Sequence, residues 1–513
     1  MSPPRLLITG GLLLADATSP ARPADVLLSG ARIEAIGEPG SFAALDGVPV
    51  MDAANRLVMP GLVNAHSHAH GALGRGAVAD VALEGFLAAS PSINGQRTLE
   101  DQALSATLSA VELLKKGCTA VFDMCAQAPA TTLDGLFAVA AAYEAAGIRA
   151  VVAPMMADRT LWQVYPELLA ALPAAQQPAL AALRMPAAEA SLALLREAAQ
   201  RWPFDAAQVR LGVAPTIPLH CSDPFMQGCA ALSAEFGLPM QTHLAESQAQ
   251  AVFGERRYGR SLVAHLAGLG VLATAGERLS VAHAIWISDA DIEQLAAAGA
   301  SAVHNPLSNL RLGSGVAPLR RMLERGLHVG LGSDGANTSD TQNLFEAARL
   351  ATGLSRIVDA DEARWVRAAE AFHMATEGSA RVLGWGLGSV SGGGAMALGR
   401  IEPGAAADLV LLDLTQPNYV PLRDALRQLV HGESGAAVDA VLVGGRLVVS
   451  GGRVTTVDEA ALRERAQAAA ERLDAANATG RHLAQALRPG VSAFCCGVGL
   501  APFHLQRRLR LGG

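Results

Sequence analysis

From about residue 57 to 395, short apolar runs alternate with longer alanine-rich stretches whose polar positions recur at helical spacing. Eight of the runs read as strands, over 58–63, 120–124, 150–155, 209–214, 239–242, 279–282, 300–303 and 327–331. Most lack polar alternation, as parallel strands covered on both faces do. Eight strand–helix units predict an α/β protein with a (β/α)8 TIM-like barrel. An open doubly wound sheet is the alternative, but no Gly-x-Gly-x-x-Gly opens the first unit.

The flanks follow a different pattern. Short strands punctuated by Gly30 and Gly37 are expected over 5–9, 12–14, 25–29 and 32–36. Similar ones are expected over 408–413, 438–443 and 446–449, with Gly444-Gly445 as a hairpin signal. Together they predict one small β-sandwich domain built from both chain ends, residues 1–56 and 396–455, around a barrel domain at 57–395. The apolar start at 6–14 fits a hairpin better than a signal-peptide core, because it holds two glycines and only Arg5 precedes it. A helical C-terminal extension is expected over 456–513, with Leu462, Ala466, Ala469 and Leu473 on one face. That apolar face packs on the domain or on another subunit, and it makes a homo-oligomer the expected assembly.

The chain has 513 residues, 51% of them hydrophobic, and a formal net charge of −7 with no basic run. Nucleic acid and anionic membranes are therefore excluded as expected partners, and a small-molecule substrate is favoured. Six cysteines without a Cys-x-x-Cys pairing read as reduced thiols, Cys495-Cys496 being too isolated to argue for zinc. No uninterrupted apolar run reaches membrane-spanning length. A cytoplasmic protein is the expectation.

The histidines change the picture from fold to chemistry. His66 and His68 end the apolar run that passes through Pro60-Gly61, and side chains at i and i+2 of a strand share a face. His243, His283 and His304 each fall at the end of a predicted strand, as does Asp334. The carboxyl end of the strands is the rim where barrel enzymes hold their reactive groups. Imidazole nitrogens and a carboxylate together suit Zn²⁺, Fe²⁺ or Mn²⁺. No Gly-x-Ser-x-Gly turn is present for a serine nucleophile, and the His-x-Glu with Pro-Cys-x-x-Cys zinc pattern is missing.

The segments Pro60-Gly61-Leu62-Val63-Asn64-Ala65-His66-Ser67-His68, Thr242-His243-Leu244-Ala245-Glu246, His304-Asn305-Pro306-Leu307-Ser308-Asn309-Leu310-Arg311-Leu312 and Gly332-Ser333-Asp334-Gly335 resemble the amidohydrolase superfamily. They are most similar to its mononuclear branch of cytosine, guanine and adenosylhomocysteine deaminases and triazine hydrolases. The resemblance spans roughly residues 5–455. It implies one divalent metal, Zn²⁺ first and Fe²⁺ second, on His66, His68, His243 and Asp334. It implies Glu246 as proton shuttle and His283 as the group holding water or substrate. Binuclear members usually bridge their metals with a carboxylated lysine after the fourth strand; the only lysines here are Lys115 and Lys116, far from it.

The implied chemistry is attack of metal-bound hydroxide, formed because the metal lowers the pKa of its water toward about 7, on an amino-substituted N-heterocycle, with Asp334 and Glu246 moving protons. Hydrolysis of an amide, a carbamate or urea, or a ring C–Cl or C–N bond at the same metal is the alternative, and a non-catalytic binding barrel a third. His70, Trp162, His220, His304 and Asn309, with Arg75, are expected to line the substrate pocket, loop or capping duty being the competing reading for each. Arg311 is expected to stabilise a loop. Ala214-Pro215-Thr216 stands where adenosylhomocysteine deaminases carry a Pro-His-Ala type of segment, which argues against a nucleoside substrate.

Overall fold

The run at 57–67 is two strands rather than one. Arg56–Pro60 pairs with the terminal strands, and Leu62–Ser67 opens the barrel. Between them the chain changes sheet at Gly61, where a Cβ would lie 2.2 Å from the Thr119 hydroxyl, so no larger residue fits. This computed structural model describes residues 3–386 and 396–508.

Eight barrel strands follow in order: β1 (Leu62–Ser67), β2 (Cys118–Cys125), β3 (Arg149–Met156), β4, β5 (Met240–Leu244), β6 (Leu279–His283), β7 (Ser301–His304) and β8 (His328–Leu331). β4 is interrupted, as Val209–Leu211 and Ala214–Pro215, both paired parallel to β3. β1–β4 and β5–β8 form two parallel arcs. One seam closes through a bridge between Val213 and Met240. At the other, Asp334 N–H donates to the His66 carbonyl at 3.0 Å and Ser333 N–H to Asn64 Oδ1 at 3.1 Å. Gly332 permits that approach, since a Cβ there would be 2.8 Å from His66 Cβ.

The terminal strands form one nine-stranded sheet. Its order runs Arg453–Val454, Arg446–Ser450, Val438–Val443, Leu409–Asp413, Arg56–Pro60, Arg5–Leu13, Arg22–Ser29, Arg32–Gly37, with Val50–Asp52 beside Arg5–Leu13. The apolar start is therefore not a hairpin. It is a single strand whose register against Arg22–Ser29 slips between Ile8 and Gly11, with Gly10 at φ +76° absorbing the extra residue. Buried Ile8, Leu13, Val26, Ile33, Val58, Leu409 and Leu442 make this sheet's own core. It is locked to the barrel by Arg149, which donates to both oxygens of Asp408 at 2.9 and 3.0 Å. The junction expected at 395–396 adjoins residues 387–395, which lie outside the described residues, as do 509–513 of the expected extension.

The tail forms two helices, Glu459–Ala476 and Ala478–Leu500. Leu462, Ala469 and Leu473 are buried within the chain, where the first helix packs on Leu99–Lys115. The face that suggested an oligomer is thus already covered. The second helix packs on Leu83–Asn94 and Gln248–Tyr258, and residues 501–508 then cross the barrel rim. No described helix is long and apolar enough to cross a membrane.

Candidate active site

At the carboxyl end of the barrel, β1, β5, β6 and the turn after β8 bring His66, His68, His243, His283 and Asp334 together, all buried. His68 Nε2 lies 3.2 Å from His243 Nε2 and 3.3 Å from Asp334 Oδ1. His66 Nε2 is 3.7 Å from the same oxygen. On the other side, His283 Nε2 is 3.6 Å from both Asp334 Oδ2 and Glu246 Oε2.

The backs of the rings decide what their fronts present. His68 Nδ1 meets the Met124 carbonyl at 2.8 Å and His243 Nδ1 the Thr216 carbonyl at 2.7 Å. A carbonyl only accepts, so both Nδ1 atoms carry the proton. Gln241 donates its amide N–H groups to the Ala65 carbonyl at 3.0 Å and to Ser280 Oγ at 2.9 Å. Its Oε1 is thereby turned to accept from His66 Nδ1 at 2.6 Å. Asn309 Oδ1 does the same for His283 Nδ1 at 2.9 Å. Every Nε2 therefore faces inward as a bare lone pair. Those of His68 and His243 point at one another, and those of His66 and His283 have no hydrogen-bond partner among the described residues. Converging buried lone pairs repel unless a cation sits among them. Three imidazoles and a carboxylate with their outer nitrogens already held are a donor set that fits a divalent metal such as Zn²⁺ or Fe²⁺.

Protonation states agree with that arrangement. Burial holds His66 down to about 3 and His283 down to about 4, so both are neutral at pH 7. Burial opposes ionisation of Asp334, but the His68, His66 and His283 rings hold the carboxyl well below the usual carboxylate range. Glu246 goes the other way. Burial lifts it well above that range, and the Asp334 and Glu84 carboxylates push it further. Two neighbouring carboxyls are thus pushed in opposite directions, Asp334 toward its ionised form and Glu246 toward its protonated form.

Backbone strain concentrates at the same place. Ala245, His283, Ala284 and Asp334 are non-glycine residues with φ between 46° and 69°. Such conformations are uncommon and persist where the surroundings over-determine them.

The other predicted residues divide. His70 stacks tilted on His68 with centroids 5.3 Å apart, and its Nδ1 accepts from Ala126 N–H. His304 is buried with its Nδ1 unpartnered, and Asn309 orients His283. Trp162 is buried in the short helix Leu161–Val164, and the His220 ring meets Tyr165 edge-on at 6.3 Å. Among the described residues no hydrogen bond or ring contact joins those two to the cluster. Arg75 pairs with Glu112, and Arg311 ties Asp340 to the Val78 carbonyl as a loop clamp. Sequence reasoning missed Gln241, although its place two residues before His243 on one strand put it on the same face. It also missed Glu84, whose carboxylate accepts from the Cys495 thiol and lies by Glu246.

The amidohydrolase family model matches residues 57–448. The chain belongs to the amidohydrolase family. It is 31% identical over 465 residues to a 5-methylthioadenosine/S-adenosylhomocysteine deaminase of Nitratidesulfovibrio vulgaris, covering 86% of this chain and 96% of that protein. It is 30% identical over 477 residues to a 5'-deoxyadenosine deaminase of Methanothermobacter thermautotrophicus, covering 91% and 98%. Among solved structures, a zinc-bound adenosine deaminase from Xanthomonas campestris superimposes with a TM-score of 0.79 at 26% identity, covering 92% of this chain and 99% of that one. A zinc complex of atrazine chlorohydrolase from Arthrobacter aurescens gives 0.78 at 25% identity, covering 91% and 100%. This amidohydrolase is a metal-dependent hydrolase acting on non-peptide carbon–nitrogen bonds of the cyclic amidine type.

Proposed function

We propose that this amidohydrolase removes the exocyclic amino group of an N-heterocycle, with a 6-aminopurine nucleoside or close analogue as the first substrate class. His66, His68, His243 and Asp334 hold one divalent metal, Zn²⁺, the ion present in two of the related structures. When bound, the metal supplies a water acidic enough to act as a nucleophile near neutral pH.

This chain's residues supply the rest. Glu246, whose protonated form burial favours, gives its proton to a ring nitrogen, which makes the adjacent amino-bearing carbon electrophilic. Asp334, kept ionised, accepts a proton from the attacking water and passes it to the amine. The C–N bond then breaks and the nitrogen leaves as ammonia, while the newly bonded oxygen gives its remaining proton back to Glu246 as the carbonyl forms. His283, held by Asn309 and facing both carboxyls, orients the water or the ring substituent. The observation that carries this reading is the buried Glu246 carboxyl, 3.6 Å from the same His283 Nε2 that faces Asp334, and pushed above the usual carboxylate range while Asp334 is held below it. Plain amide hydrolysis has no ring nitrogen to protonate, whereas a deaminase of heterocycles does. The curated nucleoside deaminases outweigh Thr216 as a guide to the substrate class.

The test is ammonia release from adenosine, 5'-deoxyadenosine, 5-methylthioadenosine, guanine, cytosine and melamine, with about one equivalent of Zn²⁺ per chain. Release from the purine nucleosides supports the full proposal, and release from another ring alone moves the substrate class. Metal-loaded protein silent on every ring refutes deamination and favours hydrolysis of a ring C–Cl bond, an amide or a carbamate.

A further inference from the structure

The described chain ends in a segment that crosses the barrel rim, and one residue there makes an unusual set of contacts. Arg507 donates from Nε to the Ile285 carbonyl at 2.8 Å and from Nη2 to the Ile287 carbonyl at 2.6 Å. Its own carbonyl accepts from Val316 N–H at 2.8 Å. Gly315 allows that approach, since a Cβ there would be 2.8 Å from the Arg507 oxygen, and its φ of +125° suits glycine. A residue from the far end of the described chain thus bridges the loops that follow β6 and β7.

What Arg507 grips matters more than the grip. Ile285–Ile287 directly follows the strained pair His283–Ala284. In the same turn, Ala284 N–H donates to the Leu244 carbonyl at 3.0 Å and Trp286 N–H to the Ala245 carbonyl at 2.9 Å. Ala245, itself at φ 46°, immediately precedes Glu246. The Trp286 indole N–H donates to the Ser314 carbonyl at 2.8 Å, two residues before Val316. Phe503 and Arg508 lie against the Trp286 ring, at 6.2 and 5.9 Å from its centre. One small turn therefore sets both His283 and Glu246. Its outward carbonyls at Ile285 and Ile287 are the groups that Arg507 takes.

We propose that Arg507 is a positioning residue of the active site: by clamping the Ile285 and Ile287 carbonyls it keeps the strained turns at Ala245 and His283–Ala284 in the conformation that points Glu246 and His283 at the reacting ring. The bidentate, planar guanidinium is suited to two carbonyls spaced two residues apart, which a lysine cannot bridge in the same way. Among the described residues, no hydrogen bond or ion pair joins Arg507 to His66, His68, His243 or Asp334. The inference rests on the roles given above to Glu246 and His283.

The test is Arg507→Ala and Arg507→Lys in the full-length, zinc-loaded protein. The substrate is the panel compound that releases ammonia fastest. Displacing a reacting group by about 1 Å can cost on the order of 100-fold, so kcat of Arg507→Ala should fall about 10- to 100-fold. KM and zinc content should stay near wild type. Millimolar guanidinium ion should restore part of the loss, which no general structural defect would allow. Hydrogen exchange at residues 284–287 and 245–247 should quicken, with the barrel strands unchanged. Arg507→Lys should fall between the two, and it keeps the test decisive if the alanine variant does not fold. Wild-type kcat and exchange in Arg507→Lys, or a change confined to KM or zinc content, overturn the proposal. If Glu246→Gln and His283→Asn leave kcat intact, the underlying reading falls; if they abolish turnover while Arg507→Ala does not, the Arg507 proposal alone falls.

Discussion

Replacing Glu246 with Gln keeps the side chain's shape and removes its proton. The carboxyl is 2% exposed, and its Oε2 lies 3.6 Å from His283 Nε2. General acid–base help is worth roughly 10²–10⁴-fold, or about 2.7–5.4 kcal/mol of barrier. The kcat for ammonia release should fall by that factor. Stability should hardly move, because burial already disfavours a charge on Glu246 and a neutral amide takes its place. The Gln250 side chain, which accepts from the Glu246 backbone N–H at 3.0 Å, is untouched by the change. Melting within about 2 °C of wild type is therefore expected, a shift worth under about 1 kcal/mol. The metal should stay bound. The pH dependence has a definite sign. Glu246 donates while protonated, its pKa is raised, and the wild-type rate must decline as pH rises through that value. The Gln variant should lack this alkaline limb. Steady-state ammonia release from pH 5 to 10, beside metal analysis and calorimetry, reads all three quantities. Turnover within about threefold of wild type, with metal bound, would refute the assignment of Glu246 as the acid.

Two further outcomes test the frame around the site. Asp123 is buried, accepts from Ala69 N–H and the Tyr143 hydroxyl, and is pushed up to about 6 by burial. A carboxyl with a raised folded pKa stabilises below its unfolded value of about 4 and loses that contribution as pH rises through 6, about 3 kcal/mol in all. The pH dependence of the melting temperature between 4 and 6 should flatten in Asp123→Asn, and an unchanged slope would contradict the burial argument. Asp408→Asn should destabilise the protein by about 3–5 kcal/mol, because it leaves the Arg149 guanidinium buried without its counter-charge. Urea unfolding reads this loss, and replacing Arg149 and Asp408 together by leucine should cost less than the single change; equal cost would mean the pair is not the joint between barrel and terminal sheet.

The apolar runs sufficed to predict eight barrel strands and the histidines at their ends a metal site, while the amidohydrolase assignment came from the resemblance of the motif segments around them. Both signals are local, since a strand buried on both faces must be apolar and residues two apart must share a face. Where a strand changes partners, local pattern fails. Nothing in the continuous run at 57–67 shows that Pro60 belongs to one sheet and Leu62 to another; that depends on Thr119 closing over Gly61. The strand at 5–13 looked like a hairpin for a similar reason, because a glycine bulge and a turn leave the same trace in sequence. The amphipathic face at 462–473 was legible, but which surface covers it was decided only by the packing of Leu99–Lys115. The sequence named Asp334 and Glu246 as two acids. Only the folded molecule, by burying both and surrounding one with imidazoles, pushes their pKa values in opposite directions. Arg507 lies further still from sequence reasoning. An arginine near the end of a chain carries no mark of the loop it will clamp, because that contact exists only once the barrel has closed and the tail has crossed its rim.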